Sequence, residues 1–483
     1  MIPPDNELRT QGDPEGRHDN ARTMTIETRS AASAVADFIL SATPPRDARH
    51  RAIDAIVDTI GVMLAGIVEP AASMATAMAA EEGRGHCRIV GTRHVTAPGA
   101  AALANGVAAH ALDYDDMCFV SLAHPSCALV PASLAAAELV RAPGAAVIDA
   151  YIVGFELECR LGVVMNPRHY HERGWHATSS IGTLGAAAAA ARILGLDTGG
   201  VRHALGIAAS AACGFKENLG SMVKPLHAGL AARNGLMAAQ LAQRGFAASP
   251  DALDGPQGYL QVMDSQHRTL EPAVADLGTR WELLQTGITV KLYPSCAATH
   301  PPLDALLDLR RRERLQAEQI EAIDIEVDSM TPRLLIHERP RTGLEAKFSM
   351  PFCAAAAMVF GRIGVGTFHP SQIQDAKVQA LMPRVSMRPN PAFDASAPLS
   401  QARVTMQLRN GRRLAQSADG ARGYPGRVSH QELADKFTAC PARTKSFSEM
   451  TRLLMQLNTV DSAINGRNSS IRSSPIAGRP KRG

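Results

Sequence analysis

Carboxylate, imidazole and ammonium side chains gather in four short stretches of this chain, and each stretch has the makings of a proton-transfer or anion-binding site. In 105–126, Asp113, Asp115 and Asp116 follow a helical run, His110 precedes Asp113 by three residues, and His124-Pro125 comes eleven residues after it. Acids at a helix C-terminus oppose the helix dipole, which favours cations there. Carboxylates crowded together shift one another's pKa values, a common feature of functional sites. The plain alternative is a solvated acidic loop. In 168–182, His169, His171 and His176 lie beside Trp175 and Thr178. The H-x-H-x4-H spacing suits a metal, but no acidic or sulfur ligand recurs at helical spacing, so no metal is expected. A histidine at a helix start can act as general acid or base near neutral pH; a polar surface loop is the alternative.

The third stretch, 214–235, carries Ser221, Lys224 and His227 at the start of an alanine-rich helix. Backbone N–H groups at a helix start, with a lysine beside them, suit a carboxylate or phosphate. The spacing is not that of a P-loop, and a plain capped loop is the alternative. The fourth, 291–305, brings together Lys291, Cys296 and His300. A Cys–His dyad needs an activated thiolate, and nothing in this stretch supplies the activation. Cys296 and His300 are therefore expected to contact substrate, not to attack it.

Helices have to position most of these groups. Alanine is abundant, in runs such as 185-GAAAAAAR-192, and alanine loses no side-chain entropy in a helix. Helical spacing appears in 31–42 and again in 49–67, with Ile53, Ile56, Val57, Ile60 and Met63 on one face and Gly66 as the expected stop. Further helices are predicted over 98–112, 128–141, 146–162, 178–194, 199–213 and 227–244, without a fixed-length repeat, which favours a bundle over a solenoid. After about residue 270 the texture changes. Residues 320–329 alternate apolar and acidic side chains as a half-buried strand does, and 402–417 reads as a hairpin with Asn410-Gly411 as a type I′ turn. Helical segments at 302–315 and 350–363 lie between them.

The expected architecture is mainly α with a smaller α+β domain. An all-helical domain spans 32–270 and is completed by 430–462, while the α+β domain spans 271–429. Residues 1–31 and 463–483 are expected to be disordered.

Composition removes several function classes. The net charge of +4 is far from the dense basic patch of a nucleic-acid binder. Eight cysteines occur without a C-x-x-C pair, against zinc ribbons, thioredoxin-like redox sites and common iron–sulfur spacings. Scattered free cysteines suit a reducing cytoplasm. The first twenty residues lack the apolar region of a secretory signal, and no uncharged apolar run of about 18 residues marks a membrane span.

Taken in order, the four stretches resemble the signature segments of the MmgE/PrpD family. Asp113-Tyr114-Asp115-Asp116 with His124-Pro125, Gly174-Trp175-His176-Ala177-Thr178, and Gly220-Ser221-Met222-Val223-Lys224-Pro225-Leu226-His227 carry the likeness. Lys291-Leu292-Tyr293-Pro294 and Glu345-Ala346-Lys347-Phe348-Ser349 add to it, and it runs from about Ala32 to Val460. The resemblance implies a large helical domain, a lid-like α+β domain, a pocket between them and a homodimer. It implies a lyase without iron–sulfur cluster or other cofactor, acting on a small di- or tricarboxylate. The catalytic set it implies is Asp113, His124, His176 and Lys224, with Lys224, His227, Ser221, Cys296 and His300 as substrate contacts. The chain departs from the decarboxylase branch at Met117, where that branch has threonine, and at Cys296, where it has histidine. It also has Leu335, Ile336 and His337 near where that branch has a tyrosine. These departures favour a 2-methylcitrate dehydratase-like hydro-lyase, ahead of an epimerase of an imino- or hydroxy-dicarboxylate or a cis-aconitate decarboxylase. A non-catalytic helical binding protein is the reading outside the enzyme class.

Overall fold

The computed structural model describes residues 30–396 and 400–440. The first part is helical: α1 (Ala31–Ser41), α2 (Arg46–Gly66), α3 (Pro70–Glu81), α4 (Pro98–His110), α5 (Ser126–Val140), α6 (Gly144–Met165), α7 (Ala177–Ile193), α8 (Thr198–Ala211) and α9 (Val223–Gln243). A two-residue ribbon, β1 (Cys87–Arg88) with β2 (Val95–Thr96), interrupts them. Helix α7 lies at the centre, with every residue from Ala177 to Ala191 buried and with α5, α6, α8 and α9 around it. Only small side chains permit such enclosure, and the alanine runs are explained by this packing as much as by helix propensity.

Glycines set the closest approaches. A Cβ on Gly106 of α4 would lie 2.7 Å from the Gly229 Cα of α9, and one on Gly229 would lie 2.5 Å from the Leu103 carbonyl oxygen. The two helices therefore cross in direct backbone contact, which places the C-terminus of α4 opposite the N-terminus of α9. Gly66 works in the same way at the point where, as expected, α2 ends. It is the last helical residue, and a Cβ there would meet the Ala108 carbonyl oxygen at 2.1 Å.

A second core surrounds a four-stranded sheet in the order β4-β3-β5-β6, made of β3 (Ile320–Val327), β4 (Val385–Pro389), β5 (Ala402–Leu408) and β6 (Arg413–Ala418). Strand β3 runs parallel to β4 and antiparallel to β5, and β5 pairs antiparallel with β6. Ile323, Ile325 and Val327 of β3 are buried under the helices 300–313 and 350–360, while Asp324 and Glu326 stand on the other face. The architecture is thus mainly α with a smaller α+β part, as the alternation in 320–329 implied. The β5–β6 connection differs from expectation. Gly411 has φ 85°, but Asn410 is not in the left-handed region, so a type I′ turn is excluded. Leu408 accepts a hydrogen bond from the Gly411 N–H and donates to the Arg412 carbonyl, giving a three-residue loop with glycine at its left-handed position.

Helix 430–439 returns to the first core, where Phe437 packs against Gly61 of α2 and Lys436 bonds Asp58. The helical stretch expected after residue 440 and both expected disordered tails, apart from Ser30 and Ala31, lie outside the described residues.

Candidate active site

The meeting of the α4 C-terminus with the α9 N-terminus builds the centre of the site. Helix α4 ends at His110, and Asp113 then takes a left-handed conformation, φ 51°. That is uncommon for a residue other than glycine, although aspartate tolerates it better than most. The turn aims the Asp113 carboxylate at two ammonium groups: its Oδ1 accepts from Lys224 Nζ at 2.6 Å and from Lys291 Nζ at 2.8 Å. Lys291 also donates to the Asp113 carbonyl at 3.1 Å. All three side chains are buried. Burial alone would raise the Asp113 pKa, but Lys224 and Lys291 outweigh it and hold the carboxyl well below its ordinary range. For Lys224, burial opposes the charge and Asp113 restores it, leaving the pKa raised. The centre therefore carries charge at neutral pH.

Four histidines border these charges. His110 Nδ1 bonds Asp115 Oδ2 at 2.8 Å, and His124 Nδ1 lies 3.4 Å from the same oxygen. His124 Nε2 lies 3.9 Å from Asp113 Oδ1. His176 caps the start of α7, and its Nδ1 meets His227 Nδ1 at 3.0 Å, so one ring donates and the other accepts. Burial lowers the pKa of all four. Lys224 lowers His176 further and Lys291 lowers His124, while burial takes His110 to about 3 despite Asp115. The rings are neutral in the free protein, next to fixed cations.

His124, His176, Lys224, Lys291 and Cys296 line one cavity of about 460 Å³. Its helical wall also carries Met117, Leu122 and Tyr170, while Thr331, Arg333, Leu334 and Phe348 close it from the sheet-containing side. His110, Asp113, Asp115 and His124 hold donor atoms within 4.8 Å of one another, a spacing compatible with a metal ion. Two ammonium groups already occupy Asp113 Oδ1, so lysine charge fills the place a cation would take. His169, His171 and His176 do not form such a group: His169 bonds Ser180 Oγ at 2.7 Å and stacks on Trp175.

The structure brings together Asp113, His124, His176, Lys224 and, through His176, His227. Cys296 lines the cavity, its thiol pKa raised by burial, which leaves it protonated. Two expected substrate contacts lie elsewhere. Ser221 Oγ donates to the Asn218 carbonyl at 2.8 Å and accepts from the Val223 N–H at 3.2 Å, so the hydroxyl is spent on the turn before α9. His300 begins helix 300–313, packs on Tyr293 and bonds the Ser295 carbonyl at 3.3 Å, away from the cavity lining. Arg333 was not singled out from sequence, while Lys291 and His110 were noted there without a place in the expected catalytic or substrate-contact set. Lys291 and His110 sit in the stretches identified there, while nothing in the sequence distinguishes Arg333 from a surface arginine.

Comparison with known proteins gives a consistent picture. The MmgE/PrpD N-terminal domain matches residues 29–271 and the MmgE/PrpD C-terminal domain matches residues 293–457. Cis-aconitate decarboxylase from Homo sapiens is 30% identical over 74% of this chain and 75% of its own length. The cis-aconitate decarboxylase-like protein oryM of Aspergillus oryzae is 28% identical over 81% of this chain and 86% of its own. A cis-aconitate decarboxylase of Aspergillus terreus is 27% identical over 81% and 85%.

Proposed function

The chain belongs to the MmgE/PrpD family, and from that premise we propose that it is a lyase that moves a proton at a carbon next to a carboxylate of a small di- or tricarboxylate. The observation that carries the reading is the pair of buried ammonium groups, Lys224 and Lys291, sharing one aspartate beside the neutral imidazoles of His124 and His176. A carbanion next to a carboxylate is costly unless cations hold that carboxylate and an acid supplies the proton. Lys224 and Lys291 fill the first role. His124 and His176 fill the second: a bound polyanion adds negative charge beside them and raises their pKa values, so the acid is loaded as substrate arrives. Arg333, at the opposite wall, is placed for a second carboxylate, which a guanidinium grips with two N–H groups.

For the leaving group we take carbon dioxide first, because the relatives carry the decarboxylase name and because apolar Met117, Leu122, Leu334 and Phe348 offer one carboxylate an environment without water. The C–C bond to that carboxylate breaks, its electron pair passes to the carbon framework, and an imidazolium delivers a proton to carbon. Loss of water is the second reading, favoured by Met117 and Cys296 at the cavity wall, where the decarboxylase pattern has threonine and histidine.

The test is incubation with cis-aconitate, 2-methylcitrate, citrate and iminodisuccinate in deuterium oxide, followed by proton NMR. Deuterium in an alkene product with carbon dioxide release supports the first reading, and an alkene formed with loss of water supports the second. No exchange with any acid, from folded protein, overturns both.

A further inference from the structure

Lys347 belongs to the sheet-containing part, yet its ammonium is spent on the helical part. It follows the short helix Gly343–Ala346 and is only 4% exposed. Its Nζ donates to the Leu112 carbonyl at 2.5 Å and reaches the Ala111 carbonyl at 3.5 Å. These two carbonyls follow α4 and lead directly into the left-handed Asp113. The last carbonyls of a helix lack intrahelical partners and carry the negative end of its dipole, so a cation there is favourable. Among the described residues Lys347 has no carboxylate within ion-pair distance, and its ring contact is Phe368 at 5.8 Å. A buried ammonium satisfied only by two carbonyls is costly to keep, which marks the contact as more than incidental packing.

The same short segment touches the site twice more. The Lys347 carbonyl accepts the Cys296 N–H at 3.0 Å, and the Phe348 ring lines the cavity 5.6 Å from Lys224 Nζ. Two adjacent residues, Lys347 and Phe348, thus touch the end of α4, the Cys296 wall and the lysine on α9.

We propose that Lys347 is a positioning residue: by gripping the carbonyls after α4 from the sheet-containing part, it fixes the turn that presents Asp113 to Lys224 and Lys291. The inference rests on Asp113 belonging to the site and is indifferent to which acid is the substrate. Lys347 does not touch the cavity contents. It sets the geometry that others use, and it couples the placement of the two halves of the molecule to the catalytic aspartate.

Burial pulls the Lys347 pKa down to about 8, with Asp113 and Glu69 opposing that fall and Lys224 and Lys291 adding to it. These four are the charged groups whose fields reach it, and Glu69 and His369 line the adjoining cavity of about 410 Å³. Deprotonation would release the grip within an accessible pH range.

The experiment compares wild type with Lys347→Met and Lys347→Arg. Misplacing a reacting group by about 1 Å can cost on the order of 100-fold in rate. For Lys347→Met we expect kcat to fall by about 10- to 100-fold with KM changed less than about threefold. The wild-type rate should decline above about pH 8. In Lys347→Arg, which keeps its charge, that limb should move upward and most of kcat should return. A second readout needs no substrate: ring ¹⁵N signals of His110 and His124, both on Asp115 beside Asp113, should shift in Lys347→Met and return in Lys347→Arg. Unchanged kcat, alkaline limb and ring signals in folded Lys347→Met overturn the proposal, even if its melting temperature falls. Should Lys347→Met fail to fold, a Lys347→Arg protein with an unmoved alkaline limb overturns it. If no acid is turned over, the lyase reading fails and the ring signals alone decide the role of Lys347.

Discussion

The two walls of the cavity are built on different principles. The helical wall holds Asp113, His124, His176 and Lys224 on the ends of α4, α7 and α9 or in the loop between α4 and α5. The glycine-to-glycine crossing of α4 and α9 sets their spacing, and Asp113, Lys224 and His176 find their partners inside the same wall or on Lys291. The opposite wall offers Arg333 and Leu334 on a short helical turn, Thr331–Leu334, with the Arg333 side chain exposed. A group held by buried partners has its charge and direction decided before a ligand arrives; an exposed one is free to be directed by the ligand. The first arrangement suits reaction and the second suits recognition.

The largest effect tests the first half of that contrast. Asp113→Asn removes the anion that two buried ammonium groups share. Breaking a buried pair in this way costs about 3–5 kcal/mol, and we expect kcat to fall at least about 1,000-fold in whatever protein remains folded. Denaturant unfolding and turnover measured together check this; near-normal rates would mean that the lysines do not need the aspartate. Next in size is His176→Ala. Loss of a general acid or base removes about 100- to 10,000-fold from kcat, and His227 would lose its ring partner without leaving the fold. Lys224→Ala should act chiefly on KM; if it acts on kcat alone, the ammonium serves the transition state and not the bound acid.

Arg333→Gln sharpens the second half. One charged hydrogen-bonding contact is worth about 1.5–3 kcal/mol, so KM for a tricarboxylate should rise by roughly tenfold or more with kcat little changed. A substrate analogue lacking the far carboxylate should show no change. A fall in kcat with constant KM would move Arg333 from recognition to chemistry and erase the distinction between the walls.

The same distinction explains how much was legible in the sequence. Asp113, His124, His176 and Lys224 stand out because they flank or open alanine-rich helices, where polar and charged residues need a reason. The helix boundaries there were within a few residues, because glycine, proline and aspartate mark them. His110 was noted only for its spacing from Asp113, because its actual partner, Asp115, lies in the loop beyond the helix it ends. Lys291 was noted beside Cys296 and His300, but its pairing was hidden, because Asp113 is 178 residues away and only the fold joins them. Ser221 and His300 were misplaced for an opposite reason: both sit at helix starts, and there the backbone itself uses a hydroxyl or a ring nitrogen. The β5–β6 turn failed on one backbone angle, since Asn-Gly fits a three-residue loop as well as a type I′ turn. Arg333 carries no sequence signal because exposed arginines are common, and recognition groups directed by their ligand leave no local pattern.

The smallest expected effect comes from the helical wall itself and tests whether burial alone confers a role. Asp116 is three residues from Asp113 and just as buried, yet it touches no ammonium group. Its partner is Ser126, whose hydroxyl also meets Tyr151 at 2.7 Å. Burial pushes its pKa up to about 8, against the opposing hydrogen bond from Ser126, so at pH 7 the carboxyl is neutral where Asp113 is ionised. Linkage fixes the sign. Between its unfolded value near 3.8 and its folded value near 8, the folded protein holds a proton that the unfolded chain has lost. The associated stability is therefore fully present below about pH 4 and drains away as pH rises towards 8, by about 1.4 kcal/mol per pH unit. Asp116→Asn replaces a neutral carboxyl with a neutral amide of the same shape. It should leave kcat within about threefold at pH 7 and flatten the fall of stability between pH 5 and 8, as denaturant midpoints across that range would show. Loss of activity in this variant would mean that Asp116 works as an anion, and that the partners of a buried carboxyl do not decide its task in this loop.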